Sequence, residues 1–161
     1  MNNENRFDRC AVEKEVIHWF FEDYLTTWVN AGASAGEANS SFISNYWGNP
    51  LHVCSDAVQE FKLHEQDVVL FLDQMHKRLQ NSGYRSTKVL DRRVKVYNPR
   101  GASIEVIWSR RRADASEIER IAVHFEVSKL QSAWRVASIQ STHTTAETLD
   151  DTWHELSLGV L

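Results

Sequence analysis

Seven histidines form the largest reserve of near-neutral acid–base chemistry in this sequence, because an unperturbed imidazole titrates near ~6.5. No two of them share a helix at His-x-x-x-His spacing, and no Cys-x-x-Cys occurs, so no metal site is expected. His124-x-Glu126 spells half of a zinc-deaminase motif. The Pro-Cys-x-x-Cys half is missing, and the pair is read as structural. Residues 32–36 spell Gly-x-Ser-x-Gly around Ser34, but a nucleophile elbow needs a strand before the serine and a helix after it. Here a helix comes first, so the spelling is a chance match. No glycine-rich phosphate loop is present, and no cofactor is expected.

Charge is unevenly spread within a net −4. Residues 85–112 carry nine basic and two acidic side chains, inside flanks that are acidic on balance. A basic stretch of this kind is either an anion site or a solvated pair of strands balanced by acidic neighbours. Without an overall basic domain, nucleic-acid binding is not expected. The longest apolar run, residues 68–72, is far short of the ~20 residues that span a membrane. The polar start of the chain and two cysteines, Cys10 and Cys54, read as free thiols, point to the cytoplasm.

The elements that must position these groups follow from periodicity. Residues 8–29 read as a long helix capped by Asp8, with Val12, Val16, Phe20, Tyr24 and Trp28 recurring every four residues and Ala31-Gly32 as the stop. A short helix over 37–47 is closed by Gly48-Asn49-Pro50. Strands at 51–54 and 58–63 precede a third helix over 65–81, which Ser82-Gly83 ends; His18 and His76 border the apolar helical stripes. Four alternating stretches, 89–96, 102–111, 119–128 and 133–142, are joined by short turns and therefore pair antiparallel. Residues 146–161 form a tail, helical around 149–156. One domain of 161 residues, with its core at about 8–145, suffices to bury a core unaided. The class is α+β, with the helices on one face of a curved, mainly antiparallel sheet that leaves a conical cavity.

Helix 1 ending in Val29-Asn30-Ala31-Gly32, the Tyr46-Trp47-Gly48-Asn49-Pro50 landmark, and the strands carrying Ile104–Arg110, Ala122–Glu126 and Trp134–Ser138 together resemble the nuclear transport factor 2-like superfamily, also called SnoaL-like or ketosteroid-isomerase-like. The resemblance covers about residues 8–145 and lies in element order and aromatic landmarks. It implies a cone-shaped pocket and a homodimer formed through the sheet. Members include isomerases, cyclases, dehydratases and non-catalytic domains, so fold does not settle function. The isomerase catalytic groups are not kept: the positions of its base, its oxyanion Tyr and its oxyanion acid hold Asn49, Leu25 and Val123.

What the resemblance leaves is a set of candidates. His52 follows the Pro50 landmark, near the family's base, and Tyr24 lies near its oxyanion donor; they are the candidate base and hydrogen-bond donor for proton transfer at a carbonyl compound. Trp28, Trp47 and Trp108 are candidate walls, and Arg110 shares Trp108's face and could guard the mouth for an acidic ligand. The last strand offers Ser138, Gln140 and Thr142 in one register, or Ser141 and His143 in the other. Asp91-Arg92-Arg93 resembles the Asp/Arg pattern of epoxide-hydrolase relatives, but alternation turns Asp91 away from the cavity. The expected function is binding of a small apolar molecule by a homodimeric cone. The alternative is a non-catalytic interaction domain whose sheet face carries Glu105, His124 and Glu126 and whose cone is filled by its own side chains. Cavity volume separates the two, since a ligand pocket measures about 300 Å³ or more.

Overall fold

The computed structural model describes residues 7–34 and 40–154. Its first helical stretch is continuous: α1 (Arg9–Ile17), a π-helical segment (His18–Tyr24) and α2 (Leu25–Ala33). The Asp8 carboxylate accepts from the Ala11 N–H at 3.1 Å, capping the start. A four-residue spacing overshoots an α-helical turn by about 40° per step. Val16, Phe20, Tyr24 and Trp28 would thus drift off one face of a plain α-helix. The wider π turn, in which the Leu25 N–H reaches the Phe20 carbonyl five residues back, counters that drift, and all four side chains are buried. The glycine expected to stop this helix does not stop it: the helix runs through Gly32, which is buried, to Ala33.

The second helix is shorter than expected. α3 (Ser40–Ile43) is followed by one 3₁₀ turn (Ser44–Tyr46), and residues 35–39, with part of the Gly-x-Ser-x-Gly spelling, lie outside the described residues. Trp47 through Pro50 do not close a helix but open strand β1 (Trp47–Cys54), with a cis Asn49–Pro50 peptide. The residue before proline is barred from helix but is free to be extended. β1 pairs antiparallel with β2 (Gln59–Lys62). α4 (Glu65–Asn81) starts with a reciprocal cap between His64 and Asp67 and buries Val68, Leu72, His76 and Leu79. His76 is fully buried rather than at a boundary, its ring 4.1 Å from that of Trp28.

The remaining strands are β3 (Tyr84–Asn98), β4 (Gly101–Arg112), β5 (Glu117–Leu130) and β6 (Ala133–His143), longer than expected but in the expected order. They form one six-stranded sheet, β2-β1-β6-β5-β4-β3, antiparallel except where β1 runs parallel to β6. The main core lies between one face of this sheet and the helices α1, α2 and α4. On the opposite face, α5 (Leu149–Thr152) packs Leu149 against Ile107 and Ala122, and the Leu149 N–H donates to Asp91 at 2.8 Å. Asp91 therefore faces outward. Leu90 joins it there because β3 shifts register between Val89 and Asp91. The helix expected over 149–156 is this single turn, and residues 155–161 lie outside the described residues. Among the described residues no helix is long and apolar enough to cross a membrane.

Candidate functional site

β4 and β5 each contribute one parity to the cone. β4 supplies Ile104, Val106, Trp108 and Arg110, and β5 supplies Ile121, Val123, Phe125 and Val127. β6 changes parity midway. Glu126 pairs with Ser138 but Val127 pairs with Val136, so Ala137 is an extra residue, a β-bulge. Trp134 and Val136 face the core before the bulge, Ile139 and Ser141 after it. Gln140 consequently lies on the other face, beside His124 and Cys54, in a polar groove of about 480 Å³. Both sequence readings of β6 assumed unbroken alternation.

The inner end of the cone is walled by Tyr24, Trp28, Trp47, Trp108 and Phe125, with Arg110 among them. Five of the seven sequence candidates sit at or near it: Tyr24, Trp28, Trp47, Trp108 and Arg110. His52 does not. Leu51 and Val53 turn into the core, so His52 turns out, its Nδ1 3.0 Å from Ser138 Oγ and its ring 4.8 Å from Phe61. The structure therefore does not bring His52 and Tyr24 together across one cavity. Leu25 and Val123 line the cavity, and Asn49 is exposed. Among the described residues no carboxylate or imidazole lines it.

The polar groups that do line the cone are donors. Burial pushes the Tyr24 phenol far above its usual range, against the opposing charge of Arg110, so it stays protonated. The Trp47 indole N–H is buried and finds no well-aligned acceptor among the described residues, although it lies close enough to Tyr24 to favour the phenol's charged form. Arg110 is 5% exposed. Its Nη1 donates to Glu119 at 2.6 Å, its guanidinium carbon lies 5.6 Å from the centre of the Trp28 ring, and its Nε–H has no acceptor among the described residues. Glu119 is held more fully by Arg78, through two bonds of 2.8 and 3.0 Å. Burial alone would raise the Glu119 carboxyl, but Arg78 and Arg110 reverse that and hold it at about 2. Two guanidiniums thus share one carboxylate. Sequence reasoning missed Glu119, and its only signal was a position two residues before the cavity-facing Ile121 on the same parity.

The inner cavity is small, about 50 Å³. Next to it lies a groove of about 570 Å³ lined by Val53, Val58 and Phe71 and flanked by Arg78 and His143. Met75, Ile121, Ile139 and Ser141 line both spaces.

A profile of the family described as NTF2-like protein (DUF6841) matches residues 13–144. The chain belongs to this NTF2-like family. Solved structures similar to this NTF2-like chain include an NTF2-like protein with a cystatin-like fold from Novosphingobium aromaticivorans, at 14% identity, TM-score 0.60 and 86% coverage of each chain. A domain of unknown function with a cystatin-like fold from Nostoc punctiforme is similar at 14% identity and TM-score 0.61, covering 88% of this chain and 82% of that one. An NTF2-like protein of unknown function from Pseudomonas putida covers 94% of this chain and 98% of its own at 10% identity and TM-score 0.61. These likenesses establish the cone-shaped α+β fold and nothing finer. No curated protein matches the chain.

Proposed function

We propose that the cone of this NTF2-like protein binds a small, largely apolar molecule. The observation that carries this reading is the junction of an aromatic, donor-lined cavity with an apolar groove through four shared side chains. The inner 50 Å³ has room for a few waters or a small head group, not a whole ligand, whereas the groove has the ~300–1,000 Å³ of ordinary ligand sites. Among the described residues no carboxylate or imidazole lines the cone, which favours binding over proton transfer by such a group there. Two free cysteines, Cys10 and Cys54, support a reducing, cytoplasmic setting.

Native mass spectrometry of the purified protein, repeated after denaturation, tests the proposal. A releasable small molecule supports it. No added mass, together with no change of tryptophan fluorescence on adding octan-1-ol or octanoate, refutes it.

The second reading, a homodimeric interaction domain with a filled cone, draws on the same small inner volume. It also draws on the outer sheet face, where His124 lies 3.3 Å from Glu105 and 2.8 Å from Glu126. Light scattering decides it: a monomer at tens of micromolar removes this reading.

A further inference from the structure

We infer that the cone's ligand is an apolar monocarboxylate, with its carboxylate in the inner cavity against Arg110 and its hydrocarbon body in the groove. The inference rests on the cone being the binding site, as proposed above, and it names the ligand's chemical class and its orientation.

The inner cavity and the groove differ in chemistry as well as in size. Around the cavity every polar side chain can donate: the Arg110 guanidinium and the Trp47 indole N–H only donate, and the Tyr24 and Ser141 hydroxyls can donate or accept. Two of these donors, Arg110 Nε–H and Trp47 Nε1–H, are buried without a well-aligned acceptor among the described residues, the Trp47 N–H lying near the Tyr24 hydroxyl. Buried donors are nearly always satisfied in folded proteins, so two on one small cavity mark where an acceptor belongs. A neutral carbonyl would offer one oxygen. A carboxylate offers two oxygens and the charge that Arg110 lacks in full.

That charge deficit is visible in the ion pairs. Glu119 accepts two hydrogen bonds from Arg78 and one from Arg110, so a single negative charge serves two positive ones. Arg78 is 52% exposed and is balanced by solvent, whereas the Arg110 side chain is 6% exposed and is not. Near the groove His143 stands 3.7 Å from Glu119 and adds no acceptor to the cavity. Because Arg110 shares its one carboxylate with Arg78, it has room for one further anionic partner, and a monoanion supplies it. The cavity's 50 Å³ suits a carboxylate-sized head; the adjoining 570 Å³ offers Val53, Val58, Phe71 and Met75 to an apolar body, and the Asp56 and Glu60 carboxylates on its lining disfavour a carboxylate at that end. The flexible Met75 thioether lines both spaces, where the ligand's neck would pass.

The test is a titration of the full chain with octanoate, octan-1-ol and octylamine, followed by intrinsic tryptophan fluorescence and calorimetry. Octanoate is expected to bind at least about tenfold more tightly than the alcohol, the margin of one charge-assisted hydrogen bond, and the amine not at all. Trp47→Phe removes one donor and keeps an aromatic side chain, and is expected to weaken octanoate several-fold and octan-1-ol by less. Arg110→Lys keeps the charge but loses the Nε–H and the planar fork, and is expected to cost octanoate about tenfold. Circular dichroism confirms that each variant is folded; should Arg110→Lys fail to fold, Trp47→Phe still decides the orientation. Equal affinity for octanoate and octanol overturns the carboxylate inference and leaves the binding cone standing, as does release of a neutral compound from purified protein that ignores octanoate. Octanoate binding that Trp47→Phe does not weaken overturns the head-inward orientation. If no probe binds and no molecule is released, the cone reading falls and takes this inference with it.

Discussion

A β-carbon placed on Gly32 would lie 2.8 Å from Cε1 of Tyr84. Gly32 is inside a helix and Tyr84 opens the strand that follows α4, so this contact sets how closely the first helical stretch lies on the sheet. The Tyr84 ring cannot easily yield, being 4% exposed with its hydroxyl 2.5 Å from Thr87 Oγ1. His76 Cδ2 stands 3.3 Å away on the other side. Gly32→Ala should therefore destabilise the fold by about 1–2 kcal/mol, overpacking outweighing the roughly 1 kcal/mol that alanine gains in helix propensity. Urea unfolding measures this; a more stable variant would show that Tyr84 moves freely.

The stability of the protein should fall as pH drops from about 6.5 to 4. Burial and, to a lesser extent, the charge of Arg110, opposed by Asp73, together lower the His76 imidazole to about 4. The unfolded chain titrates this group near ~6.5 and so takes up the proton first. Between those values unfolding binds protons, and stability is lost on acidification by roughly 3 kcal/mol at most. His76→Gln should flatten this slope in denaturant midpoints measured from pH 7 to 4.

Glu119 acts in a lower window. Its folded value of about 2 lies below the unfolded ~4.3, so its contribution is complete above the unfolded value and is lost as pH falls toward 2. Glu119→Gln at neutral pH should cost about 3–5 kcal/mol, because it strands a buried guanidinium. Arg78→Ala should cost within about 1 kcal/mol, since that partner is half exposed and its ion pair is screened. Equal losses in thermal melts would contradict the unequal burial of the two arginines.

His52 and Tyr24 should separate cleanly in binding assays. His52→Ala, on the outer face, is expected to change octanoate affinity less than twofold, whereas Tyr24→Phe, on the cavity wall, is expected to weaken it several-fold at nearly unchanged stability. An effect of His52→Ala as large as that of Tyr24→Phe, in a folded protein, would tie the outer face to the cone.

Much of this architecture was legible because apolar spacing reports burial. The span of α4 and the order of β3 to β6 follow from it, although those strands run longer than alternation marks. The family likeness rests instead on element order and the aromatic and Pro50 landmarks, which also put Tyr24 near the cone. What stayed hidden sits where the period breaks. Ala137 adds one residue to β6, and nothing about an alanine announces a bulge, so the facing of Gln140 stayed open. Trp47 to Pro50 carry helix-ending residues that serve equally well in an extended strand. His52 was placed by a family landmark, and a landmark fixes position along a strand without fixing which face the side chain takes. Glu119 was illegible because its importance comes from two arginines on other elements.

The π-helical segment has a consequence for how this protein can change. Seven residues, His18–Tyr24, set the rotational phase between the two halves of the first helical stretch. A π turn takes up about one residue more than the α turn it replaces, so deleting one of these residues and closing the segment as regular α-helix would leave α2 close to its present phase. Trp28 would keep its seat on the cone. The same deletion in the α-helical part would instead turn everything downstream by about 100° and exchange the aromatic wall for whatever the next stripe holds.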